Sequence, residues 1–467
     1  MKINRSNADL PSPSRRPGSR DGARRCGWRL GGALHRRDRW PPQERQPRTP
    51  NRTKSAVDLT HAARRITRTL FAAQSLASAA TVAIFPVVSI IGARLSGRPS
   101  WAGVPVMVYL LGQAFSAFGW GQLMDRLGRR GTLVLGLLLG SAGAIIAVLA
   151  VQRETFPLFL LASLFVGFAV SGVQLARFVA AEVHPPAERA RAISTVVLGG
   201  TVGAIFGPLL AGTAARAAKV VALDELSGPY LVTTGLFAIA ALVVFALLHP
   251  EPREVGAAIA ALHDPAHAGN GPGRTVAEIL RVPAAFVAVT AMVFGQLIMV
   301  MLMVITPLHM RGHEHPLGSI SFVISAHVVG MYAFSIISGR LADRAGRGPV
   351  IAAGAAVLIL AGLTARLSPQ VLPLSVALFL LGLGWNFCYV AGSSLLADQL
   401  SPQERGRTQG FNDLLIGLTS AAGSLSSGIV FAGIGYGAMA LVAAGAALIP
   451  LSLAAWWQLR RPVPVTP

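Results

Sequence analysis

Long apolar segments alternate with short charged or Pro/Gly-rich stretches along most of this chain. The segment 132–152, for example, contains no charged side chain. About 20 apolar residues in a helix cross the roughly 30 Å hydrocarbon core of a bilayer, where the backbone must satisfy its own hydrogen bonds. With 53% apolar and 13% charged residues among 467, the chain is predicted to be an all-α integral membrane protein.

Twelve apolar segments are predicted to span the membrane, six on each side of a polar stretch at 249–281. The predicted spans are 69–93, 101–123, 131–152, 156–181, 193–213, 229–248, 283–308, 319–341, 349–366, 371–396, 409–432 and 435–458. The predicted domains are a tail at 1–65, a six-helix bundle at 66–248, a cytoplasmic central loop at 249–281, a second six-helix bundle at 282–460 and a tail at 461–467.

A motif that occurs twice indicates that the two halves arose by duplication. The segment 121–129 (GQLMDRLGR) recurs at 339–347 (GRLADRAGR), shifted by 218 positions, and each copy follows the second span of its half. A second pair of similar segments, 186–191 and 402–407, follows the fourth span of each half. Because each motif follows the span of the same number in its half, the two repeats are predicted to be parallel. Parallel repeats are related by an axis along the membrane normal.

The distribution of basic residues near the span ends predicts the orientation, because cytoplasmic loops carry an excess of Arg and Lys. One side has twelve arginines on its short loops and C-terminal tail, against seven basic residues on the other side. Both termini are therefore expected in the cytoplasm. Only three Lys accompany 38 Arg, a bias that favours a GC-rich bacterium and hence the bacterial plasma or inner membrane.

The N-terminal tail at 1–65 carries much of the charge. It has 17 basic and five acidic residues, so it contributes +12 to a net charge of +21. Its Pro, Ser and Gly content and its lack of periodicity are typical of disorder. A solvated tail is expected; contact with anionic lipid and a targeting role are the alternatives. Two cysteines, Cys26 and Cys388, give no disulfide framework.

The repeated motif has the chemistry of a gate latch. A carboxylate can accept hydrogen bonds from free amides at a neighbouring helix N-terminus, and arginines can pair with a carboxylate on another helix. Retaining loops in the cytoplasm is the alternative role. The motif residues are Gly121, Asp125, Arg126, Gly128, Arg129 and Arg130 in the first copy, and Gly339, Asp343, Arg344, Gly346 and Arg347 in the second.

Two copies of this motif in equivalent loops of a six-plus-six chain make residues 66–460 resemble the major facilitator superfamily of transporters. The resemblance implies two six-helix bundles that rock about a central substrate path. It further implies that Asp125 caps span 11 and that Arg129 or Arg130 pairs with Glu182. The second copy would mirror these contacts against span 5 through Asp343, Arg347 and Asp398. Such contacts would hold the outward-facing state.

Span 5 contains glycines at a spacing that resembles an antiporter signature of the same superfamily. The residues concerned are Gly203, Gly207, Pro208 and Gly212. Glycines four apart allow close helix approach, and proline removes a backbone donor and bends the helix. The pattern favours export, with generic helix packing as the alternative, and it is incomplete because Ser194 replaces a glycine.

Spans 1, 4, 7 and 10 line the central path in the superfamily, so their polar and aromatic residues are candidates for substrate binding. They are Gln296 of span 7 and Trp385, Asn386 and Tyr389 of span 10. An aromatic surface beside two amides suits a flat or amphipathic organic molecule. Packing is the alternative for each residue singly.

Titratable groups within the spans are costly in hydrocarbon and are therefore candidates for coupling. His327 in span 8 is either a buried, hydrogen-bonded imidazole or a titrating group in the cavity. Asp413 at the start of span 11 either faces the helix N-terminus or couples transport to an ion. Ser163 stands where the family often has an arginine in span 4, which speaks against proton coupling through that position. His309, His313 and His315 cluster after span 7, but no metal site is expected.

Together these features predict a secondary transporter and no enzyme, since neither a P-loop nor a catalytic set is present. Export of a small organic, amphipathic compound by proton antiport is expected. Uptake of a small metabolite or a vitamin such as riboflavin is the alternative, and a non-transporting membrane sensor or scaffold is an alternative of another class. The expected partners are the substrate, membrane lipid and a proton or other ion gradient, without cofactor or nucleic acid, for a monomeric protein.

Overall fold

The computed structural model describes residues 52–185, 188–262 and 274–460, and within these ranges the regular structure is helical. The helices in chain order are α1 (Arg52–Ala83), α2 (Phe85–Ser96), α3 (Val104–Gln152), α4 (Phe156–Gln174), α5 (Ala176–Glu182), α6 (Arg189–Phe206), α7 (Leu209–Val220), α8 (Gly228–Leu247), α9 (Pro252–Leu262), α10 (Val276–Leu280), α11 (Pro283–Gly312), α12 (Leu317–Tyr332), α13 (Ser335–Ala345), α14 (Arg347–Ala365), α15 (Val371–Ala397) and α16 (Pro402–Leu459). The prediction of an all-α membrane protein is confirmed.

Each of the twelve predicted spans lies on helix, but the helices do not break where the spans were expected to end. Within the described ranges, nine helices are long and apolar enough to cross a membrane, and one bent pair, α6 with α7, is a tenth candidate. Helix α3 covers the second and third predicted spans, and α16 covers the last two. The count of twelve stays a prediction.

Two glycines explain why α3 and α16 each run through a predicted boundary. Gly128 inside α3 has φ 76° and ψ 173°, and Gly435 inside α16 has φ 75° and ψ 171°. This conformation is almost confined to glycine. It redirects the chain within a single residue, so no loop separates the flanking helical segments.

The bend between α6 and α7 has a different cause. Pro208 follows Gly207 and lacks an amide hydrogen, so the helical hydrogen-bond ladder is interrupted there. The two helices meet at 51°. The glycine-proline pair therefore bends the predicted span 5 between α6 and α7.

Closely approaching helices occupy equivalent positions in the two halves. In the first half, a Cβ at Gly167 of α4 would overlap the carbonyl oxygen of Tyr109 in α3. In the second half, a Cβ at Gly382 of α15 would overlap the carbonyl oxygen of His327 in α12. Tyr109 and His327 are separated by the same 218 positions as the repeated motif. The contact between α3 and α4 is thus equivalent to the contact between α12 and α15, as the duplication in the sequence predicts.

The polar stretch 249–281 contains two short helices that the sequence analysis did not predict, α9 and α10. Thr275 begins α10 with a capping box: its hydroxyl accepts from the Glu278 amide at 3.3 Å, and its own amide donates to Glu278 Oε2 at 2.7 Å. Residues 1–51, 186–187, 263–273 and 461–467 lie outside the described ranges. The expectations for the tails and the domain limits therefore stay predictions.

Candidate functional site

The first copy of the repeated motif forms an ion pair between α3 and α5. The Arg129 guanidinium donates from Nε to Glu182 Oε2 at 2.9 Å and from Nη2 to Oε1 at 3.0 Å. Such a two-pronged pair is stronger and more directional than a single hydrogen bond. Of the two arginines considered for Glu182, the structure places Arg129 there. The face of the molecule that carries Gly128 and Gly346 is called the loop face below.

Arg130 points elsewhere. Its Nη2 donates to the carbonyl oxygen of Phe245 at 2.5 Å, and its guanidinium lies 4.6 Å from the centre of the Phe245 ring. This cation–π contact joins the start of the second segment of α3 to the end of α8. Arg130 therefore fastens the first half internally.

Glu251 caps the second segment of α3. Its Oε1 accepts from the amides of Arg129 at 2.6 Å and Arg130 at 3.4 Å. A carboxylate at this place satisfies free amides and complements the helix dipole. Sequence reasoning missed this residue because Glu251 lies more than 120 positions away, beyond the sixth span, in no recognised motif.

The second copy of the motif repeats part of this geometry. Arg347 Nη1 lies 2.9 Å from Asp343 Oδ1, and Arg347 Nε lies 3.2 Å from Asp398 Oδ2. The pair Arg347–Asp398 is the counterpart of Arg129–Glu182. In this conformation Asp343 pairs with Arg347, four residues on, and its expected contact with the start of α6 stays a prediction. The surroundings of Gly121 and the side chain of Asp125 lie outside the described part of the chain, as do any contacts of Asp125 with α16.

Another ion pair ties the central stretch to the second half. Arg274 donates from its amide, Nε and Nη2 to the carboxylate of Glu404 at 2.8–2.9 Å, and Glu404 also accepts from the Ser401 amide at 3.0 Å. These hydrogen bonds, those from the Arg274 side chain above all, hold the pKa of Glu404 below its usual range. Sequence analysis had singled out Glu404 only as part of a repeated segment and had not considered Arg274.

The two halves contact each other closely at the end away from the loop face, called the opposite face below. Ser424 Oγ of α16 donates to the carbonyl oxygen of Gly103, just before α3, at 2.8 Å. A Cβ at Gly428 would lie 2.5 Å from the carbonyl oxygen of Ser100, and one at Gly212 would lie 2.9 Å from Gly318 Cα. Small residues therefore allow backbone-to-backbone contact across the interface.

Charged side chains reinforce this contact. Glu225, between α7 and α8, accepts from Arg311 at the end of α11, and it also pairs with Lys219 Nζ at 2.6 Å. The neighbouring Asp224 pairs with Arg94 Nη1 at 2.5 Å. The bridge from Arg311 to Glu225 joins the second half to the first. Sequence analysis had counted these basic residues only for orientation.

A cluster of aromatic and amide side chains lies between the two faces. Trp385 Nε1 donates to Gln296 Oε1 at 2.7 Å, and Gln296 Nε2 donates to Ser420 Oγ at 2.9 Å. Trp385 stacks on Tyr389 with ring centres 4.8 Å apart and planes 18° apart, and Tyr332 meets Trp385 edge-on at 6.4 Å. These five residues are called the aromatic–amide cluster. Its rings and Gln296 are half-buried.

The aromatic–amide cluster belongs to the second half but reaches the first. Tyr109 of α3 lies near Tyr332. Half-buried rings between two packed bundles form a surface on which a flat molecule can stack, and the amide and hydroxyl groups offer both donors and acceptors. Sequence reasoning named three members of the cluster; it missed Tyr332 and Ser420, which lie on spans it had not assigned to the path.

Two other substrate candidates lie outside the cluster. His327 is 0% exposed, and its Nδ1 lies 3.0 Å from the carbonyl oxygen of Leu378. Asn386 is 1% exposed and donates from Nδ2 to the Met331 carbonyl oxygen at 2.6 Å and to Ser335 Oγ at 2.9 Å. Both side chains point between α15 and the helices α12 and α13. In this conformation they pack helices together, since a step of one residue along a helix, as from Trp385 to Asn386, turns the side chain to another face.

Asp413 lies near the loop-face end of α16 with an exposed side chain. It interacts electrostatically with Arg177 of α5, across the two halves. Tyr389 of the aromatic–amide cluster lies within range of both charges. A carboxylate and a guanidinium from different halves therefore lie between the aromatic–amide cluster and the loop face.

The glycines of the predicted span 5 serve close packing. A Cβ at Gly203 would overlap the carbonyl oxygen of Ser75 in α1, and one at Gly207 would lie 2.7 Å from the carbonyl oxygen of Ala79. Gly212 belongs to the contact between halves described above. The stripe thus fixes α6 against α1 within the first half and brings α7 against α12 of the second.

The histidine cluster after span 7 makes other contacts. His309 stacks on Tyr436 with ring centres 4.2 Å apart, and His315 Nε2 lies 2.9 Å from the carbonyl oxygen of Pro369. Within the described ranges, no three His, Cys, Asp or Glu side chains are placed to hold a metal ion together. The described geometry gives these histidines aromatic and backbone partners.

Comparisons with known proteins agree with this architecture. Residues 70–316 and 291–467 match the model of the Major Facilitator Superfamily. The chain is 33% identical to the MFS-type transporter YdeG of Bacillus subtilis over 83% of this chain and 91% of that protein. It is 32% identical to the riboflavin transporter RfnT of Brucella anthropi over 79% of this chain and 89% of that protein. The crystal structure of the nucleoside transporter NupG has a similar fold, with a TM-score of 0.67 at 15% identity, over 85% of this chain and 100% of that chain.

Proposed function

Because this chain belongs to the Major Facilitator Superfamily, we propose that it carries a flat, amphipathic organic compound across the membrane and binds it at the aromatic–amide cluster. That it is a multi-pass membrane transporter and no enzyme follows from the family. The substrate class, the direction and the driving ion are the proposal.

The aromatic–amide cluster is the observation that supports this substrate class. Trp385 and Tyr389 present a stacked aromatic surface, and Gln296 lies within 2.7 Å of the indole nitrogen. A stacked aromatic pair contributes about 0.5–1.5 kcal/mol beyond the burial of its area. A planar substrate could stack there and exchange hydrogen bonds with Gln296 or Ser420. An inorganic ion would gain little from such a surface.

Alternating access is the proposed mechanism. The described conformation joins the halves at the opposite face through Gly103–Ser424 and Arg311–Glu225. If the loop face is cytoplasmic, as the arginine distribution predicts, this conformation is closed to the outside. In the other state the opposite-face contacts separate, and the repeated motifs, Asp125 and Asp343 included, hold the loop face closed.

Export by proton antiport is the proposed direction and coupling. The bent, glycine-rich α6–α7 pair resembles the antiporter pattern, and Asp413 and Arg177 flank the path below the cluster. A proton taken up by Asp413 would weaken its attraction to Arg177. The two charges lie on different halves, so this step would bias the equilibrium between the two states.

Uptake of a riboflavin-like vitamin is the second candidate, and the similarity to the riboflavin transporter RfnT favours it. A flavin is planar, and its edge both donates and accepts hydrogen bonds. The aromatic–amide cluster suits such a ring as well as it suits a planar drug. Direction and coupling therefore distinguish the two candidates, whereas the binding site does not.

The proposal is tested by transport of planar dyes, antibiotics and riboflavin into oriented membrane vesicles, with and without a protonophore. Trp385→Ala is expected to lower transport of planar substrates at least tenfold, because it removes the stacked ring and the donor to Gln296. Trp456→Ala, at the exposed end of α16, is the matched control and should transport normally. Equal transport by the two variants would contradict the proposed binding site. If the wild-type protein carries no compound of the panel in either direction, the proposed substrate class is wrong.

A further inference from the structure

A groove lined by basic side chains lies on the loop-face end of the first half. It is formed by the exposed side of α1 and the end of α8, and it encloses about 620 Å³. Its lining includes His61, Arg64, Arg65, Arg68, Ala72 and Leu247. This volume lies within the roughly 300–1,000 Å³ range of sites for small ligands. The lining set is called the basic groove.

Helix α1 has one side buried in the bundle and one side that lines the basic groove. Ala63, Ile66, Leu70 and Ala73 recur at helical spacing and are all buried, so this side of the helix faces the bundle. His61 and the three arginines lie on the other side and are exposed. The helix therefore presents a row of positive charge outward, at the point where the first predicted span begins.

Within the described ranges, no carboxylate lies within salt-bridge distance of Arg64, Arg65 or Arg68. Two loop-face arginines of the repeated motif are instead paired with carboxylates, Arg129 with Glu182 and Arg347 with Asp398. Three neighbouring arginines repel one another unless an anion shields them. An anion that shields them is therefore expected from outside the described residues.

The lower part of the groove is apolar. Ala72 lies one turn beyond Arg68 along α1, and Leu247 of α8 is 48% exposed. Arginine side chains can extend their apolar stems along such a surface and place the guanidinium at the level of the lipid headgroups. A ligand that fits therefore has an anionic head and a hydrocarbon tail.

We infer that the basic groove binds the headgroup of an anionic phospholipid, with the phosphate on Arg64, Arg65 and Arg68 and an acyl chain along Ala72 and Leu247. Basic clusters beside a membrane span bind anionic headgroups on the cytoplasmic side, with about 1 kcal/mol for each Arg or Lys. That corresponds to about a fivefold factor in affinity for each arginine. The bound lipid would fasten α1 to α8 and so stabilise the first half.

Lipid titration of the purified full-length protein tests this inference. Phosphatidylglycerol or phosphatidylcholine is added to delipidated protein, and binding is followed by native mass spectrometry and by the apparent melting temperature. We expect phosphatidylglycerol to bind at least tenfold more tightly and to raise the melting temperature more. The triple variant Arg64→Gln, Arg65→Gln, Arg68→Gln is expected to lose at least tenfold in affinity for it.

Two further variants separate this site from general charge effects and from misfolding. Replacing the exposed loop-face residues Arg189, Arg191 and Arg281 by Gln removes the same charge elsewhere, and this variant should keep the lipid preference. Replacing Arg64, Arg65 and Arg68 by Lys keeps the charge and should restore much of the binding. Equal loss in both Gln variants, or an unchanged preference in the groove variant, would overturn the inference. So would competition by glycerol 3-phosphate as effective as that by the lipid, because the groove would then take a free phosphate.

Discussion

Glycines with positive φ fix the positions where two of the helical segments begin at the loop face. Gly128 has φ 76° and ψ 173°, and Gly346 has φ 92° and ψ 155°. Each precedes an arginine of the repeated motif, Arg129 or Arg347, that pairs with a carboxylate on a neighbouring helix. The glycine of the motif is therefore needed for the backbone direction, and the arginine for the contact between helices.

Gly128→Ala is expected to lower the free energy of unfolding by about 1–3 kcal/mol, because side chains rarely adopt this backbone conformation. The added Cβ would also lie 2.9 Å from Glu251 Oε1. Gly131→Ala is the control, since Gly131 is helical and exposed, and alanine is favoured over glycine there by up to about 1 kcal/mol. Apparent melting temperatures in detergent provide the comparison. If Gly128→Ala melts at or above the temperature of Gly131→Ala, the claim of a glycine-only position is wrong.

The candidate site was partly predictable at this scale. The repeated motif and the family resemblance that it carries pointed to Glu182 and Asp398, the carboxylates that pair with Arg129 and Arg347. Nothing local pointed to Glu251 or Arg274, because each reaches its partner across more than 120 positions from a stretch without a motif. The sequence also places His327 and Asn386 at mid-span depth, but depth does not determine which way a side chain faces.

At the scale of helices, apolar length was sufficient to predict where the long helices lie, whereas the count of twelve spans stays a prediction. What it could not show is how consecutive helices join, because a single glycine inside α3 or α16 replaces the expected loop. The short helices α9 and α10 were also missed, since both lie in a polar stretch and α10 depends on a capping box of Thr275 and Glu278. Hydrophobic periodicity gives no signal for elements of that length.

Close helix approach in the second half predicts a specific sensitivity. Gly382→Ala would place a Cβ against the His327 carbonyl oxygen, and overpacking of this kind costs about 1–3 kcal/mol. The variant should melt at a lower temperature than the wild-type protein in the same detergent. Gly445→Ala, on α16 with no neighbour within 4 Å of an added Cβ, is the control. Equal melting temperatures for the two variants would mean that α12 and α15 can move apart without cost.

At the scale of the whole molecule, the two halves are joined at the opposite face, where glycines and serines allow backbone contact and Arg311 reaches Glu225. The loop-face ion pairs Arg129–Glu182 and Arg347–Asp398 each lie within one half. The halves can therefore separate at one face without disturbing the pairs that fasten each half internally. This division of contacts is what rigid-body rocking of two bundles requires.

The duplication was fully visible in the sequence, but the conformation was not. A motif can indicate which contacts form in one state of the transporter. Which of the two states is more stable depends on the small difference in free energy between the opposite-face contacts and the loop-face contacts. The repeated motif points to the loop-face latch, and nothing in the sequence points to the contacts of Gly103, Ser424 and Glu225. Small residues and surface charges leave no distinctive pattern in the sequence.

Distances between spin labels on the two halves test the central claim, alternating access, most directly. One pair, Arg191 with Arg344, reports the loop face, and the other, Val221 with His313, reports the opposite face, in protein whose Cys26 and Cys388 are replaced by Ser. We predict two populations for each pair, changing in opposite directions: Arg311→Gln should lengthen the opposite-face distance and shorten the loop-face one, and Asp125→Asn should do the reverse. A single fixed distance at both faces, or changes in the same direction, would contradict the account.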